Sequence, residues 1–509
     1  MTIYERFLQR ALKSPDANAC VAPDGTRMSY RELASAASLL AQQIADLGVR
    51  PRRIAINSRK RTETLVGFLA CLHLGVPYVP LDPGAPAARR AFILSDAQCD
   101  LILETDGGKV GSPQTEGPRT FGVDVTSMRK DSHQGCTPRA IQGHEEAFVL
   151  YTSGSTGSPK GVAITHDNVE AFVNWAAVAF PVSVDDRIAV HAPLHFDLPV
   201  FDLFVGLSAG AEVHLISEKI TLFPQALANF LRERQVTHLY AVPTALSALV
   251  RKSDLKAGGL PTMRRILFAG EEFPANPLRE LMKAVPVSSY ANLYGPIETN
   301  VVTSYEVRAL PEEGSRVPIG VPASHVVLAL LTDEGDLSFE GAACGEILVK
   351  GPSVSPGYIN RPDLTRTSCF DADGETYYRT GDLAERDLEG VFRLQGRKDG
   401  LVKTRGFRVE LGEVEAALST HPGVDAAAVL AVPHPELTNE LHAVVTLRSS
   451  CSSEVFLAQG AAHCAKQLPH YMVPAHFHVV DSMPTTSSGK TAKRELLSTL
   501  PLTEMGALR

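Results

Sequence analysis

The chain has 509 residues, is 44% hydrophobic and carries a formal charge of −8 at neutral pH. That is enough apolar sequence for a large core and at least two domains, and an acidic balance without any sustained Lys/Arg run excludes nonspecific binding of nucleic acid or anionic membrane. Met1-Thr2-Ile3-Tyr4-Glu5-Arg6 lacks a basic region leading into an apolar run, and no later stretch reaches about 18 uninterrupted apolar residues, so the expected protein is cytoplasmic.

From the N-terminus, short β-like runs alternate with helical patterns. Arg53-Ile54-Ala55-Ile56, Phe148-Val149-Leu150-Tyr151, Arg187-Ile188-Ala189-Val190 and Arg265-Ile266-Leu267-Phe268 read as strands, and Glu63-Thr64-Leu65-Val66-Gly67-Phe68-Leu69 reads as helix. This alternation predicts βαβ units and mostly parallel sheets, an α/β protein. Residues 104–146, rich in Gly, Ser, Pro and charge, read as a mobile loop.

The next segment, Tyr151 to Gly161, packs five Ser/Thr hydroxyls, three glycines and Lys160 into one polar loop. Glycine lets backbone N–H groups approach phosphate oxygens, and hydroxyls and the ammonium add donors and charge. Thr152, Ser153, Gly154, Ser155, Thr156, Gly157 and Lys160 are therefore candidate polyphosphate ligands. The loop is not a Walker motif, because Pro159 occupies the place of the second glycine; Gly489-Lys490-Thr491 fails the same test through Pro484.

Near Asp399 the pattern changes. Short strands end at Gly396-Arg397-Lys398, a helix begins at Gly412-Glu413-Val414, and the apolar runs Ala426–Val432 and His442–Leu447 suggest a compact unit of about 110 residues. The predicted division is a large domain over 1–398 and a small one over 399–509. The eight cysteines are scattered singly, with no C-x-x-C and no histidine spacing that would make a zinc site. They read as small buried residues in a reducing compartment.

Read in order, Leu74-Gly75-Val76-Pro77-Tyr78-Val79-Pro80-Leu81-Asp82-Pro83, the phosphate loop, Asn292-Leu293-Tyr294-Gly295-Pro296-Ile297-Glu298-Thr299, Tyr378-Arg379-Thr380-Gly381-Asp382-Leu383, Gly396-Arg397-Lys398-Asp399, Lys403–Glu410 and Ser488-Gly489-Lys490 resemble the motif series of the adenylate-forming superfamily. This superfamily comprises acyl-CoA synthetases, luciferases and nonribosomal peptide adenylation domains. The resemblance spans nearly the whole chain. It implies a large N-terminal domain of layered mixed sheets and helices with a small mobile α+β lid.

The resemblance also implies roles. A carboxylate attacks the α-phosphate of ATP, leaving an acyl-adenylate and pyrophosphate, and charge must be neutralised throughout. Glu298 is implied as the Mg2+ ligand, since magnesium takes hard oxygens, and Lys490 as the catalytic lysine bridging substrate carboxylate and α-phosphate. Tyr294 is implied to stack on adenine, Asn292 to bond the base, and Asp382 to accept from both ribose hydroxyls, with Arg397 nearby; Gly270, Gly295 and Thr299 complete the nucleotide set. Thr152 joins Lys490 and Glu298 in the implied catalytic group. The family usually carries threonine before the magnesium glutamate; here Ile297 stands there, so adenylation is expected to rest more on Thr299, Thr152 and Lys490. Asp399 matches the family's hinge, whose rotation exchanges Lys490 for the Lys403–Arg408 segment, with Gly406 leaving room for a pantetheine arm.

Asp197, within His195-Phe196-Asp197-Leu198-Pro199-Val200-Phe201-Asp202, aligns with the aspartate that pairs with the substrate ammonium in amino-acid-activating members. The remaining implied pocket, Leu198, Phe201, Tyr240, Leu267, Ala269, Leu293, Val301 and Val302, offers one hydroxyl and no charge. A charged substrate side chain would be desolvated without a partner, so a small apolar amino acid is expected. The set is similar to that of L-proline-activating enzymes that load discrete peptidyl carrier proteins in pyrrole biosynthesis. No segment resembling a carrier domain follows Lys490, so the phosphopantetheine thiol is expected in trans. Two other readings stand beside this one: another small apolar α- or β-amino acid as substrate, and an acyl- or aryl-CoA ligase. Asp197 weighs against the ligase. A noncatalytic module of the same fold would not need Lys490, Glu298 and Asp382 together.

Overall fold

The computed structural model describes residues 1–106, 118–128, 135–154, 157–398, 401–434, 436–449, 451–484 and 493–499. It is a mixed α/β protein whose contacts divide it into two compact units. The first comprises Met1–Pro83, Leu94–Tyr151 and Gly161–Lys398; the second comprises Asp399–Arg509 with two excursions of the preceding chain, Gly84–Ile93 and Thr152–Lys160. The large-plus-small division expected from sequence therefore has a discontinuous form, and the phosphate loop clusters with the second unit.

In the first unit, the strands Ile54–Asn57, Tyr78–Leu81, Arg187–Val190, His238–Ala241, Arg265–Phe268 and Ser289–Tyr294 are short, nearly fully buried and parallel to at least one neighbour. Burial on both faces is what parallel strands flanked by helices require. They belong to a seven-stranded and a nine-stranded sheet, and a third sheet of six strands holds the long strand Glu375–Arg386. Helix Thr62–Leu74 is buried on nearly every side, and ends at Gly75, whose φ of +60° closes it in the left-handed conformation.

Residues 104–146 do not form one loop. Arg119–Gly122 pairs parallel with Leu101–Glu104 at the sheet edge, placing Phe121 opposite Leu103, and Val125–Met128 is a helical turn with Val125 and Met128 buried. The strand is four residues long at an edge, too short to show a periodicity against its polar flanks. The cysteine expectation also needs correcting: only Cys20, Cys71, Cys99 and Cys464 are buried, and Cys344 is exposed. Among the described residues, no helix is long and apolar enough to cross a membrane.

The second unit has its own core. Strands Val424–His434 and Thr438–Leu447 form an antiparallel pair, His476–Val479 adds in parallel to the latter, and helices Leu411–Ser419 and Ser453–Ala465 supply Val414, Leu418 and Phe456 to a cluster with Val429, Leu441 and Ala443. Ahead of these, Leu401–Thr404 and Phe407–Glu410 form a hairpin joined by Arg405 (φ 53°) and Gly406 (φ 83°). Positive φ at both loop residues is the turn that matches strand twist.

Candidate functional site

Three strands of the nine-stranded sheet set the geometry of the site in the first unit. His238–Ala241, Arg265–Phe268 and Ser289–Tyr294 are parallel and in register, Tyr240 opposite Leu267 and Leu267 opposite Ala291. Side chains alternate between faces with period two. Tyr240, Leu267, Ala291 and Leu293 accordingly join one apolar cluster, while Leu239, Ile266, Phe268 and Tyr290 join another on the far face. Ala269, one residue past its strand, continues the first face. Ligands of open α/β sheets bind beyond the carboxyl ends of the strands, which is where Tyr240, Leu267, Ala269 and Leu293 lie.

The rest of the expected acid pocket joins the same cluster: Phe201, Val301 and Val302 are buried in it, and Leu198 packs against it. The Phe201 and Tyr240 rings meet edge to face with centroids 6.0 Å apart. Asp197 is half-buried at the turn leading into the helix that contains Phe201–Val205, a stretch wound as π-helix; the Val200 N–H donates to the Asp197 carbonyl at 3.0 Å. Burial pushes the Tyr240 phenol well above its ordinary value, and the Asp197 and Asp202 carboxylates push it further. Tyr240 is therefore a permanent O–H donor, with the Asp197 and Asp202 carboxyl groups in a surround otherwise apolar.

The residues expected at the nucleotide form a second constellation. Asp382 stands directly opposite Arg397 across an antiparallel pair, and the guanidinium donates to Asp382 Oδ1 at 2.6 Å. Tyr294 donates its hydroxyl to Asp382 Oδ2 at 2.7 Å. Burial and that carboxylate hold the Tyr294 phenol well above its usual range. Asn292, of opposite parity to Leu293, donates to the Pro318 carbonyl at 2.8 Å. After the strand the chain turns sharply: a Cβ on Gly295 would sit 1.7 Å from the Asn300 carbonyl oxygen, so only glycine fits. Gly270 has φ +91°, which also favours glycine. The Gly295 turn buries Glu298 and Thr299, and Tyr358 donates to Glu298 Oε1 at 2.7 Å. Sequence reading does not single out Tyr358, which is distant in the chain from Glu298 and carries no motif. Ile297 is buried in the apolar cluster.

A buried carboxylate oriented by a tyrosine fits the usual manner of holding magnesium, by one or two carboxylates and the phosphates themselves. The glycine-tight turn and the Asp382 pair fit a ribosyl group with vicinal hydroxyls.

In the second unit, Gly154 is likewise obligatory, since a Cβ there would lie 2.1 Å from the Ser158 carbonyl oxygen. The Gly157 N–H donates to the Gly154 carbonyl at 3.1 Å, curling the loop. Thr152, Ser153 and Lys160 are buried. The Ser153 hydroxyl donates to the Arg408 carbonyl at 2.9 Å, and the Gly154 N–H donates to Glu413 Oε2 at 3.1 Å, while Arg89 pairs with the other Glu413 oxygen. Lys403 lies on the first strand of the hairpin and Gly406 at its turn; the Lys403 carbonyl accepts from Asn439 at 2.8 Å. Ser155, Thr156, Asp399 and Lys490 lie outside the described residues.

Comparison with known proteins gives the family. Residues 7–359 match the AMP-binding enzyme family and residues 413–490 the AMP-binding enzyme C-terminal domain. The chain is 36% identical over 501 residues to a Pseudomonas fluorescens protein named L-proline--[L-prolyl-carrier protein] ligase, covering 96% of this chain and 97% of that one. It is also 36% identical to a Streptomyces coelicolor protein of the same name, covering 92% and 91%. Among solved structures, a Vibrio cholerae adenylation domain in complex with glycyl-adenosine-5'-phosphate superposes with a TM-score of 0.83 at 25% identity, over 98% of both chains.

Proposed function

The chain belongs to the AMP-binding enzyme family, an AMP-forming ligase by that membership, and we propose that it activates L-proline with ATP as prolyl-AMP and passes the prolyl group to the phosphopantetheine thiol of a separate peptidyl carrier protein. The choice of acid is supported by Asp197, half-buried at the turn before Phe201, together with the expected pocket residues Phe201, Tyr240, Leu267, Leu293, Val301 and Val302, which share one apolar cluster. A carboxylate among apolar side chains suits a compact ammonium without a polar side chain.

In this reading Asp197 holds the prolyl ammonium, and the apolar wall excludes water from the carboxylate that attacks phosphorus. Asp382, pinned by Arg397 and Tyr294, receives the ribose hydroxyls, and Asn292 faces the base. Glu298, oriented by Tyr358, would hold Mg2+, whose charge offsets that of the phosphates. Gly154, Gly157, Thr152, Ser153 and Lys160 offer N–H, hydroxyl and ammonium donors to the phosphates, with Ser155 and Thr156 from the same loop. Lys490 neutralises charge developing between carboxylate and α-phosphate. For the second half-reaction, residues 399–509 act as the lid, turning about Asp399 to present Lys403 and Gly406 to the thiol. Cysteines scattered singly along the chain suit a reducing compartment.

Amino-acid-dependent exchange of labelled pyrophosphate into ATP tests this. Strong exchange with L-proline and little with aryl or fatty acids is expected; exchange driven by an aryl acid would transfer the reading to a CoA ligase.

A further inference from the structure

Local spacing in the sequence offers no metal site, yet strand pairing assembles one in the second unit. Thr438–Leu447 and His476–Val479 run parallel, with His442 opposite His476 and Val444 opposite His478. Alternation puts Glu440 and His442 on one face, and His476 and His478 on that same face. One donor atom from each of Glu440, His442 and His476 lies within 4.8 Å of the others.

We propose that Glu440, His442 and His476 bind one divalent transition ion of the zinc type, with His478 orienting His442. The separations support this. Zinc bonds of about 2.0–2.1 Å to nitrogen and oxygen put tetrahedral ligands about 3.3 Å apart. His476 Nε2 is 3.2 Å and His442 Nε2 3.7 Å from the same oxygen, Glu440 Oε2. The longer of these exceeds hydrogen-bond distance but matches two ligands sharing an ion. Meanwhile His442 Nδ1 and His478 Nε2 are 3.0 Å apart. With the N–H on His442 Nδ1, this bond leaves the Nε2 lone pair directed at the shared position, the arrangement by which a second residue fixes the tautomer of a metal-bound histidine.

The surroundings agree. His442 is 6% exposed. Leu430 stands opposite His442 on the adjoining strand and belongs to an apolar cluster with Ala428 and Val444. Such a floor limits solvent access to the ion, while partly exposed Glu440 and His476 leave an entry path. Two imidazoles and one carboxylate suit zinc better than magnesium or calcium, which prefer all-oxygen shells. The ion would cross-link the strand that precedes Lys490 in the chain to its neighbour, whichever acid the enzyme activates.

The test uses the full chain, stripped by chelator and titrated with Co2+ and then Zn2+ without nucleotide or Mg2+. One Co2+ per chain with the strong visible absorption of a four-coordinate ion is expected, displaced by Zn2+, with a rise in the thermal midpoint. His476→Gln and Glu440→Gln, both at partly exposed positions, should abolish the band while far-ultraviolet circular dichroism stays unchanged. His478→Gln should weaken Zn2+ binding about 10- to 100-fold, and Glu298→Gln should leave the Co2+ spectrum as it was. Absence of a four-coordinate band, or equal Zn2+ affinity in the parent and His476→Gln, would overturn the proposal.

Discussion

Arg397 and Asp382 face each other across an antiparallel pair and are joined at 2.6 Å, so the carboxylate implied for ribose binding is fixed before any nucleotide arrives. Its second oxygen accepts from Tyr294 at 2.7 Å. Preorganisation of this kind lowers the ordering cost of binding.

Asp382→Asn should raise the KM for ATP by about 10- to 100-fold, the worth of a hydrogen bond to a charged group, with little change in the KM for the amino acid. The ATP dependence of pyrophosphate exchange measures this. Equal effects on both substrates would mean that the residue supports the whole site and not the ribose alone.

Asp197→Asn should do the converse. The KM for L-proline is expected to rise about 10- to 100-fold through loss of the charge-assisted contact, while ATP binding, followed by a fluorescent analogue, is unchanged. A variant as active as the parent would remove Asp197 from the acid pocket.

Ile297→Thr isolates the departure from the family pattern. Because Ile297 is buried in the apolar cluster, the variant should lose about 1–2 kcal/mol of stability from missing methyl groups and a buried hydroxyl. Exchange should remain within an order of magnitude of the parent, since Thr299, Thr152 and Lys490 are expected to carry the phosphate contacts. A large gain in rate would show that the hydroxyl is missed; denaturant melts separate the two effects.

Acid should destabilise the fold before carboxylates are titrated. Burial lowers the pKa of His166 to about 4, of His191 to about 3, where nearby Lys60 adds to the effect, and of His238 to about 4, each from 6.5. Between about pH 4 and 6.5 the unfolded chain binds protons that the folded chain refuses, so stability falls as pH drops through that window. Each group contributes up to about 1.4 kcal/mol per pH unit there. Urea unfolding at pH 7 and pH 5 measures the loss, and His191→Gln should reduce it by that residue's share, leaving the part due to His166 and His238.

The parallel strands were legible because burial on both faces writes an uninterrupted apolar run, as in Ile54–Asn57 and Arg265–Phe268. The expected pocket residues came from an ordered motif series, and of these Tyr240, Leu267 and Leu293 share one apolar cluster. What escaped depends on approach between distant segments. Tyr358 reaches Glu298 across 60 residues, and Glu440 meets His476 only because two strands pair. Neither leaves a local pattern. Arg119–Gly122 escaped for another reason: four residues at an edge are too few for alternation to be read.

The strand Ser289–Tyr294 has a consequence for how such enzymes diversify. Leu293 belongs to the face expected to meet the acid, and Asn292, its immediate neighbour, turns the other way to the Pro318 carbonyl. On the proposed reading, substitutions at Leu293, Leu267 or Tyr240 would reshape the surround of the acid while Asn292 keeps its contact on the other face. An ancestral scaffold could change its carboxylic acid many times over without relearning how to hold ATP.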